Sequence, residues 1–336
     1  MKHCALRRLG AASRGVAVGL LLALAATAAV YAQGATQTLA QANQALQNGA
    51  ADKALALLGS LPNGGTAIAE AQNLACRVHF TLQRWDEAVR ECEQAVRLDG
   101  QNSVDHMWLA RALGEKASRA SFVNAFSLGK RVRSEFETAV RLNPRNAAAL
   151  TDLGEFYKEA PGIVGGGTDK AADVAAQLDK VDAARAHQLR ARIAEAGKDY
   201  GTAEREFKQA IATAAHPAMH WTTLASFYRR RQRWPEMELA IHNCVGAAQR
   251  DNGAGVALYD GAGILTESNR DPALAARMLE NYLASSSKTE EAPAFEARLR
   301  LARLKKQLGD AAGAQREQAA ALQLAHDYRP ALDFRP

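Results

Sequence analysis

Residues 69–102, AEAQNLACRVHFTLQRWDEAVRECEQAVRLDGQN, constrain the fold more than any other stretch, because their pattern returns along most of the chain. The first half carries Ala75, Cys76, His79 and Phe80 on one helical stripe. A break at Gln83-Arg84 follows, and the second half carries Ala88, Val89, Cys92, Ala95 and Val96 on another. Two short amphipathic helices that return every 34 or so residues are helix–turn–helix units. Such units bury their apolar faces only against their neighbours, so they stack into a solenoid. No run of alternating β-branched residues reads as a strand, and alanine is abundant where helices would touch, so the spacing predicts an all-α chain.

The other units follow in order. Residues 35–61 form a short pair, with Leu39, Ala42 and Leu46 and then Ala54, Leu55 and Leu58, closed by Pro62-Asn63-Gly64-Gly65. The unit from Ser103 has its second helix late, with about ten extra residues near 117–129. It closes on LNPRN at Leu142–Asn146. The next unit has Leu150, Leu153, Gly154 and Tyr157, then a second insertion near 160–168, APGIVGGGT. Gly154 permits two helices to approach closely. Residues 184–216 are well formed, and the unit from His216-Pro217 pairs Trp221, Leu224 and Tyr228 with Trp234, Met237 and Ile241. A looser unit spans about 255–285.

These residues resemble the tetratricopeptide repeat (TPR) family over nearly all the chain after residue 32, most fully at 69–102, 184–216 and the unit that follows. The stretch from Gly114 to Gly167 also resembles a group of exported bacterial TPR proteins with no assigned activity. The resemblance implies a right-handed superhelical solenoid of about seven to eight helix pairs. The expected layout is an array over 33–284, a linker at 285–293, a final pair at 294–327 and a tail at 328–336.

Residues 1–32 read as a secretory signal peptide. Lys2, Arg7, Arg8 and Arg14 precede an apolar run from Val16 to Val30, shorter than the ~20 residues that span a bilayer. Val30-Tyr31-Ala32 supplies the small residues of a cleavage site, which gives cleavage after Ala32 and a periplasmic or secreted address. Those four bases, with no acid among them, account for four of the six net positive charges. What remains is too little to argue for a nucleic-acid partner.

Catalytic signatures are missing: no GxxxxGK[ST], HExxH or GxSxG occurs, and no CxxC, so no catalytic residue, metal ligand set or cofactor is assigned. Gly165–Gly167 precede a helix and offer amides to an anion, or else form an elbow around the insertion. His216 and His220 lie four apart, but Pro217 between them breaks the helical face a metal pair needs. Cys76 and Cys92 sit on facing stripes, as a disulfide in an oxidising compartment or as packed thiols. Phe122 and Phe126 share a face among Lys116, Arg119, Lys130 and Arg131. That face is either a partner or weak membrane-surface contact, or an extension of the helix pair packed on itself.

In TPR proteins the first helix of each pair lines a concave groove. The resemblance places Asn73, Arg77, Arg111, Thr151, Glu155, Gln188, Arg192, Thr222, Ser226, Tyr259 and Arg303 there. Arginines recur at these positions, and guanidinium forks favour carboxylates. The reading is therefore a non-catalytic protein- or peptide-binding scaffold of the cell envelope whose groove holds an extended, acidic segment of a partner. The alternative is a periplasmic accessory protein binding a small ligand or anion at the glycine elbow.

Overall fold

The computed structural model describes residues 33–61, 67–251 and 253–336. The signal segment and the Pro62–Gly65 break lie outside them. Residues 33–47 are helical (α1) and are followed by α2 (Ala51–Gly59), α3 (Ala67–Thr81), α4 (Trp85–Leu98), α5 (Ser103–Ser118) and α6 (Phe122–Leu142). Then come α7 (Ala147–Glu159), a short 3-10 turn (Gly162–Val164), α8 (Thr168–Leu178), α9 (Ala183–Ala196), α10 (Tyr200–Thr213), α11 (Ala218–Arg230) and α12 (Trp234–Arg250). The last are α13 (Gly255–Glu267), α14 (Pro272–Ala284), α15 (Ala294–Gln307), α16 (Ala311–Leu324) and α17 (Arg329–Leu332). No strand occurs among the described residues. Odd- and even-numbered helices pack as antiparallel neighbours, and each pair packs on the next, which makes the chain a helical repeat solenoid.

One backbone device reverses the chain inside a pair. Gly49, Gln83, Lys198, Gln232, Asn269 and Gly309 all have positive φ. At each, the residue's amide donates three residues back and the next amide donates five residues back. In the pair α3/α4 these are Gln83 N to Phe80 O at 3.0 Å and Arg84 N to His79 O at 2.9 Å. This is the Schellman closure, which satisfies the last carbonyls of the first helix. Of the two pairs carrying insertions, α5/α6 lacks it, and in α7/α8 it closes the 3-10 turn rather than α7, at Gly165, whose amide donates to Gly162 O while Gly166 N donates to Pro161 O. The first insertion lengthens both helices, so that α6 runs to 21 residues. The second forms the 3-10 turn.

Caps and small residues set the remaining joints. Asn102 and Asn146 cap α5 and α7, and Asp182, Asp199, Asp271 and Asp310 cap α9, α10, α14 and α16. Ala54, Ala88, Ala203 and Ala314 are all fully buried five residues after their turns, where the paired helices touch. Gly154 brings α7 against α9: a Cβ there would meet Leu189 Cδ2 at 2.3 Å. Cys76 and Cys92, both fully buried, are joined as a disulfide between α3 and α4 with Cα atoms 5.2 Å apart.

The array bends until its first and last described pairs meet. Leu39, Leu46, Leu74 and Val78 share one core with Phe295, Leu299, Ala321 and Tyr328. Arg77 clamps Glu290 through Nε at 2.8 Å and Nη2 at 2.6 Å, Arg84 pairs with Asp327, and Asp52 accepts from His326 N at 2.8 Å. The stretch 285–293, read as a linker, thus carries contacts across this seam, with Ala292 buried and accepting from the Tyr282 hydroxyl. The tail folds back, Gln318 Nε2 donating to Ala331 O at 2.7 Å and Phe334 O at 2.9 Å.

Two substitutions separate turn strain from packing. Lys198→Gly relieves a left-handed residue and raises unfolding stability by about 0.5–1 kcal/mol. Ala203→Glu, five residues on, buries a charge with no partner and lowers it by about 3 kcal/mol or more. Urea unfolding followed by helicity measures both, and equal effects of the two would contradict this turn geometry.

Candidate functional site

The first helices of the pairs, α3 to α15, form the concave wall, and seven of the eleven residues expected there line two neighbouring cavities. The larger, of about 680 Å³, lies between α5 and α7 on one side and the segment leading into α15 on the other. Trp108 forms its floor, 6% exposed, edge-on to Phe80 at 5.5 Å. The Arg111 guanidinium lies over the Trp108 ring at 4.6 Å and Arg77 at 5.5 Å. Phe156 and Trp85 add aromatic edges.

The charges on this wall differ in sign from the expectation. Arg77 is taken by Glu290, Arg111 Nε donates to Asp152 at 2.6 Å, and Arg192 lies 3.2 Å from Glu155. Arg77 and Arg111, each held by a carboxylate, do not present an acidic ligand with free forks at this cavity, which corrects the arginine-led reading of this part of the groove; Arg192 belongs to the neighbouring cavity. Carboxylates are what the cavity shows. Glu155 and Glu159 come from α7, where Lys158 lies 2.9 and 3.1 Å from them, and Glu290, Glu291 and Glu296 come from the opposite side, Glu290 held by Arg77 and Glu296 by Arg300, while Arg111 is the one base among the lining residues. Glu291 is exposed and makes no ion pair among the described residues. Burial pushes the Asp152 carboxyl up, and Arg111 opposes that shift.

The second cavity, of about 480 Å³, collects five of the expected residues: Gln188 and Arg192 of α9, Thr222 and Ser226 of α11 and Tyr259 of α13. Arg229, Asp260 and Arg300 join them. Arg300 lies over the Tyr259 ring at 4.1 Å and donates to Glu296 at 2.6 Å, while Arg229 pairs with Glu267 at 2.9 Å. Burial raises the Asp260 carboxyl to about 6 despite Arg300, with Glu291 and Glu267 adding to the rise.

The remaining candidates fall elsewhere. Arg303 is exposed beside a smaller hollow with Arg300 and Glu296. Asn73 is buried against Asp105, whose carboxyl burial lifts to about 6. Thr151 donates to its own helix at Ala147 O, 2.8 Å. Phe122 is 81% exposed at the start of α6, and Phe126 is half-buried beneath Lys130 Nζ at 4.3 Å.

The glycine elbow does not offer a cradle. Gly165 N donates to Gly162 O at 2.9 Å, Gly166 N to Pro161 O at 3.2 Å and Gly167 N to Tyr157 O at 2.8 Å. Lys170 Nζ closes on Gly165 O at 2.9 Å. The three amides that an anion would need are already donating within the turn. His216 pairs with Asp251 at 2.6 Å and is exposed, whereas burial lowers the pKa of His220. Asp52, His326 and Asp327 gather at the seam, but His326 Nδ1 is held by Asp52 at 2.9 Å and Asp327 by Arg84. Cys244 is a buried free thiol, pushed up to about 12 by desolvation. Among the described residues no helix is long and apolar enough to cross a membrane.

No family model and no curated protein matches this chain. Its helix pairing fits the tetratricopeptide repeat fold. Among solved structures the chain is similar to a thermophilic TPR protein of Thermus thermophilus. The identity is 19% and the TM-score 0.49, over 57% of this chain and 98% of that one. It is similar also to PilF of Pseudomonas aeruginosa, at 12% identity and a TM-score of 0.40, over 75% of this chain and 97% of that one.

Sequence reasoning missed Glu159, Glu290, Glu291, Glu296 and Trp108 as wall residues. Trp108 carried a signal, since it lies three residues before Arg111 on the same helical face. The glutamates at 290–296 carried none, because they reach the wall only through the seam.

Asp260 gives the wall a pH signature. Its folded pKa of about 6 exceeds the ordinary carboxylate value of about 4. The folded chain therefore binds the extra proton between those values. Its contribution to stability is full below pH ~4 and is lost as pH rises through ~6. Asp260→Asn raises Tm by about 2–4 °C at pH 7.5, equivalent to about 1 kcal/mol, and by less at pH 4.5. Thermal melts at both values check this, and a gain independent of pH would contradict it.

Proposed function

We propose that this chain is a non-catalytic, protein-binding repeat scaffold, exported from the cytoplasm, whose concave wall holds an extended segment of a partner protein. The observation that carries the reading is the cavity over Trp108. It combines apolar aromatic edges, which give a peptide side chain burial, with carboxylates, which orient a polar end. The carboxylates set the sign of the ligand at this place: a lysine or arginine side chain of the partner lies with its stem along Trp108 and Phe156 and its head among Glu159 and Glu291. A cell-envelope address is supported by the basic-then-apolar start of the sequence and by the bonded Cys76–Cys92 pair, since disulfides persist in oxidising compartments. The periplasm or the exterior is the proposed site of action, and Gln33 the first residue of the processed chain.

The small-anion alternative at the glycine elbow loses its basis with the bonding of its amides.

The test uses an exposed double variant, Glu159→Arg/Glu291→Arg, chosen because neither residue supports the core. Envelope proteins captured by the native chain are digested on the resin, and the protected segments are sequenced and resynthesised. A short unfolded segment with a basic residue is expected. Its affinity falls by about tenfold or more in the double variant, about 1.4 kcal/mol or more, while Tm stays the same. Equal affinity for both forms would place binding away from this wall, with the exposed Phe122 at the start of α6 as the next surface to alter.

A further inference from the structure

The two concave cavities are not independent. They share a wall made of two ion pairs, one from each side of the bend. Glu155 and Glu296 line the larger cavity, and their partners Arg192 and Arg300 line the smaller one. Glu155 lines the Trp108 cavity and Arg192 the Tyr259 cavity, while Glu296 lines the Trp108 cavity and also meets the Tyr259 hydroxyl, and Arg300 lies over the Tyr259 ring. The lining is therefore uneven in charge: the two carboxylates line the Trp108 cavity and the two guanidiniums line the other.

The lining on either side extends this polarity. Beyond Glu155 and Glu296 lie Glu159 and Glu291, both exposed. Beyond Arg192 and Arg300 lies Arg229, with the hydroxyls of Thr222, Thr223 and Ser226 beside it. Arg192 Nε lies 3.2 Å from Glu155 without a hydrogen bond, and Arg229 Nε is likewise buried without a partner, while Arg300 donates to Glu296 through Nε and Nη2. Arg300 Nη1 lies over Gly263, where a Cβ would meet it at 3.2 Å. The counter-charges on the smaller cavity are Glu267, already paired with Arg229, and the largely buried Asp260.

We infer that the groove reads a segment of opposite charges in fixed order, a cationic residue over Trp108 and an acidic residue beneath Arg192, Arg229 and Arg300. This deepens the binding reading above and rests on it. The two positions are about two helix spacings apart, roughly 16–20 Å. An extended chain covers that distance with about five or six residues. A segment carrying one sign alone meets repulsion or unmatched charge in one of the two cavities, so the selection works by exclusion as well as attraction.

The experiment titrates the full chain with blocked peptides of about eight residues on a glycine–serine spacer. One carries two lysines at its start and two glutamates at its end, and a second has that order reversed. A third has lysines at both ends, and a fourth glutamates at both. One of the two bipolar peptides binds about tenfold or more tighter than both single-sign peptides, and Arg192→Gln/Arg300→Gln abolishes that preference. The variant keeps Glu155 paired with Lys158, so its fold is retained, as equal helicity and Tm check. If a single-sign peptide binds as tightly as the bipolar ones and is lost in Glu159→Arg/Glu291→Arg, the charge-order inference is overturned while the groove reading stands. If no peptide responds to either double variant, both are overturned.

Discussion

The interior of this protein depends on a contact between residues 213 positions apart, the clamp of Arg77 on Glu290. A solenoid of helix pairs needs only neighbour contacts, and it leaves two apolar end faces to be covered. Here the end faces cover one another: Leu46 and Leu74 from the start of the array share a core with Phe295 and Tyr328 from its end. Apolar burial drives that closure but does not fix its register, because it is non-directional. The bidentate pair does, since a fork meets a carboxylate in one orientation. Breaking either partner would strand a charge at side chains only 16% and 11% exposed.

Closure also decides what the concave wall contains. With α15 brought opposite α5–α9, glutamates from the far end of the chain face arginines and aromatics from its beginning. Charges that would be solvated on an open array then sit across a narrow cavity from one another. Their pairing takes up Arg77 and Arg111 at the Trp108 cavity, and along the shared wall Glu155 and Glu296 line one cavity while Arg192 and Arg300 line the other. The Trp108 floor gains two guanidinium neighbours, Arg77 and Arg111, from different helices, and each holds the ring in place while being held by an acid.

Much of the repeat grammar was legible in the sequence. The stripe of Ala88, Val89, Cys92 and Ala95 and the closing LNPRN foretold helices whose contacts and caps the structure shows, and Gly154 marked a close approach that Leu189 now occupies. The break at Gln83-Arg84 was visible as a break. Its left-handed backbone was not, because glutamine and lysine carry no mark of positive φ. The 117–129 insertion read as extra residues between helices and became extra turns of α5 and α6, since neither proline nor a glycine pair interrupts it before Gly129.

Sequence by itself determined that this chain stacks helix pairs, because a recurring 3.6-residue periodicity is a local property of consecutive residues. The resemblance to TPR proteins implied a groove containing Gln188, Arg192, Thr222, Ser226 and Tyr259, and these five line one cavity. Only the tertiary structure decided the charge that wall presents. Arg300 meets Glu296 one turn away within α15 and Arg111 meets Asp152 across a single junction, but which carboxylate meets Arg77 depends on the accumulated rotation of the successive helix-pair junctions, and a small angle at each, invisible in any single repeat, sums to the closure that brings Glu290 to Arg77.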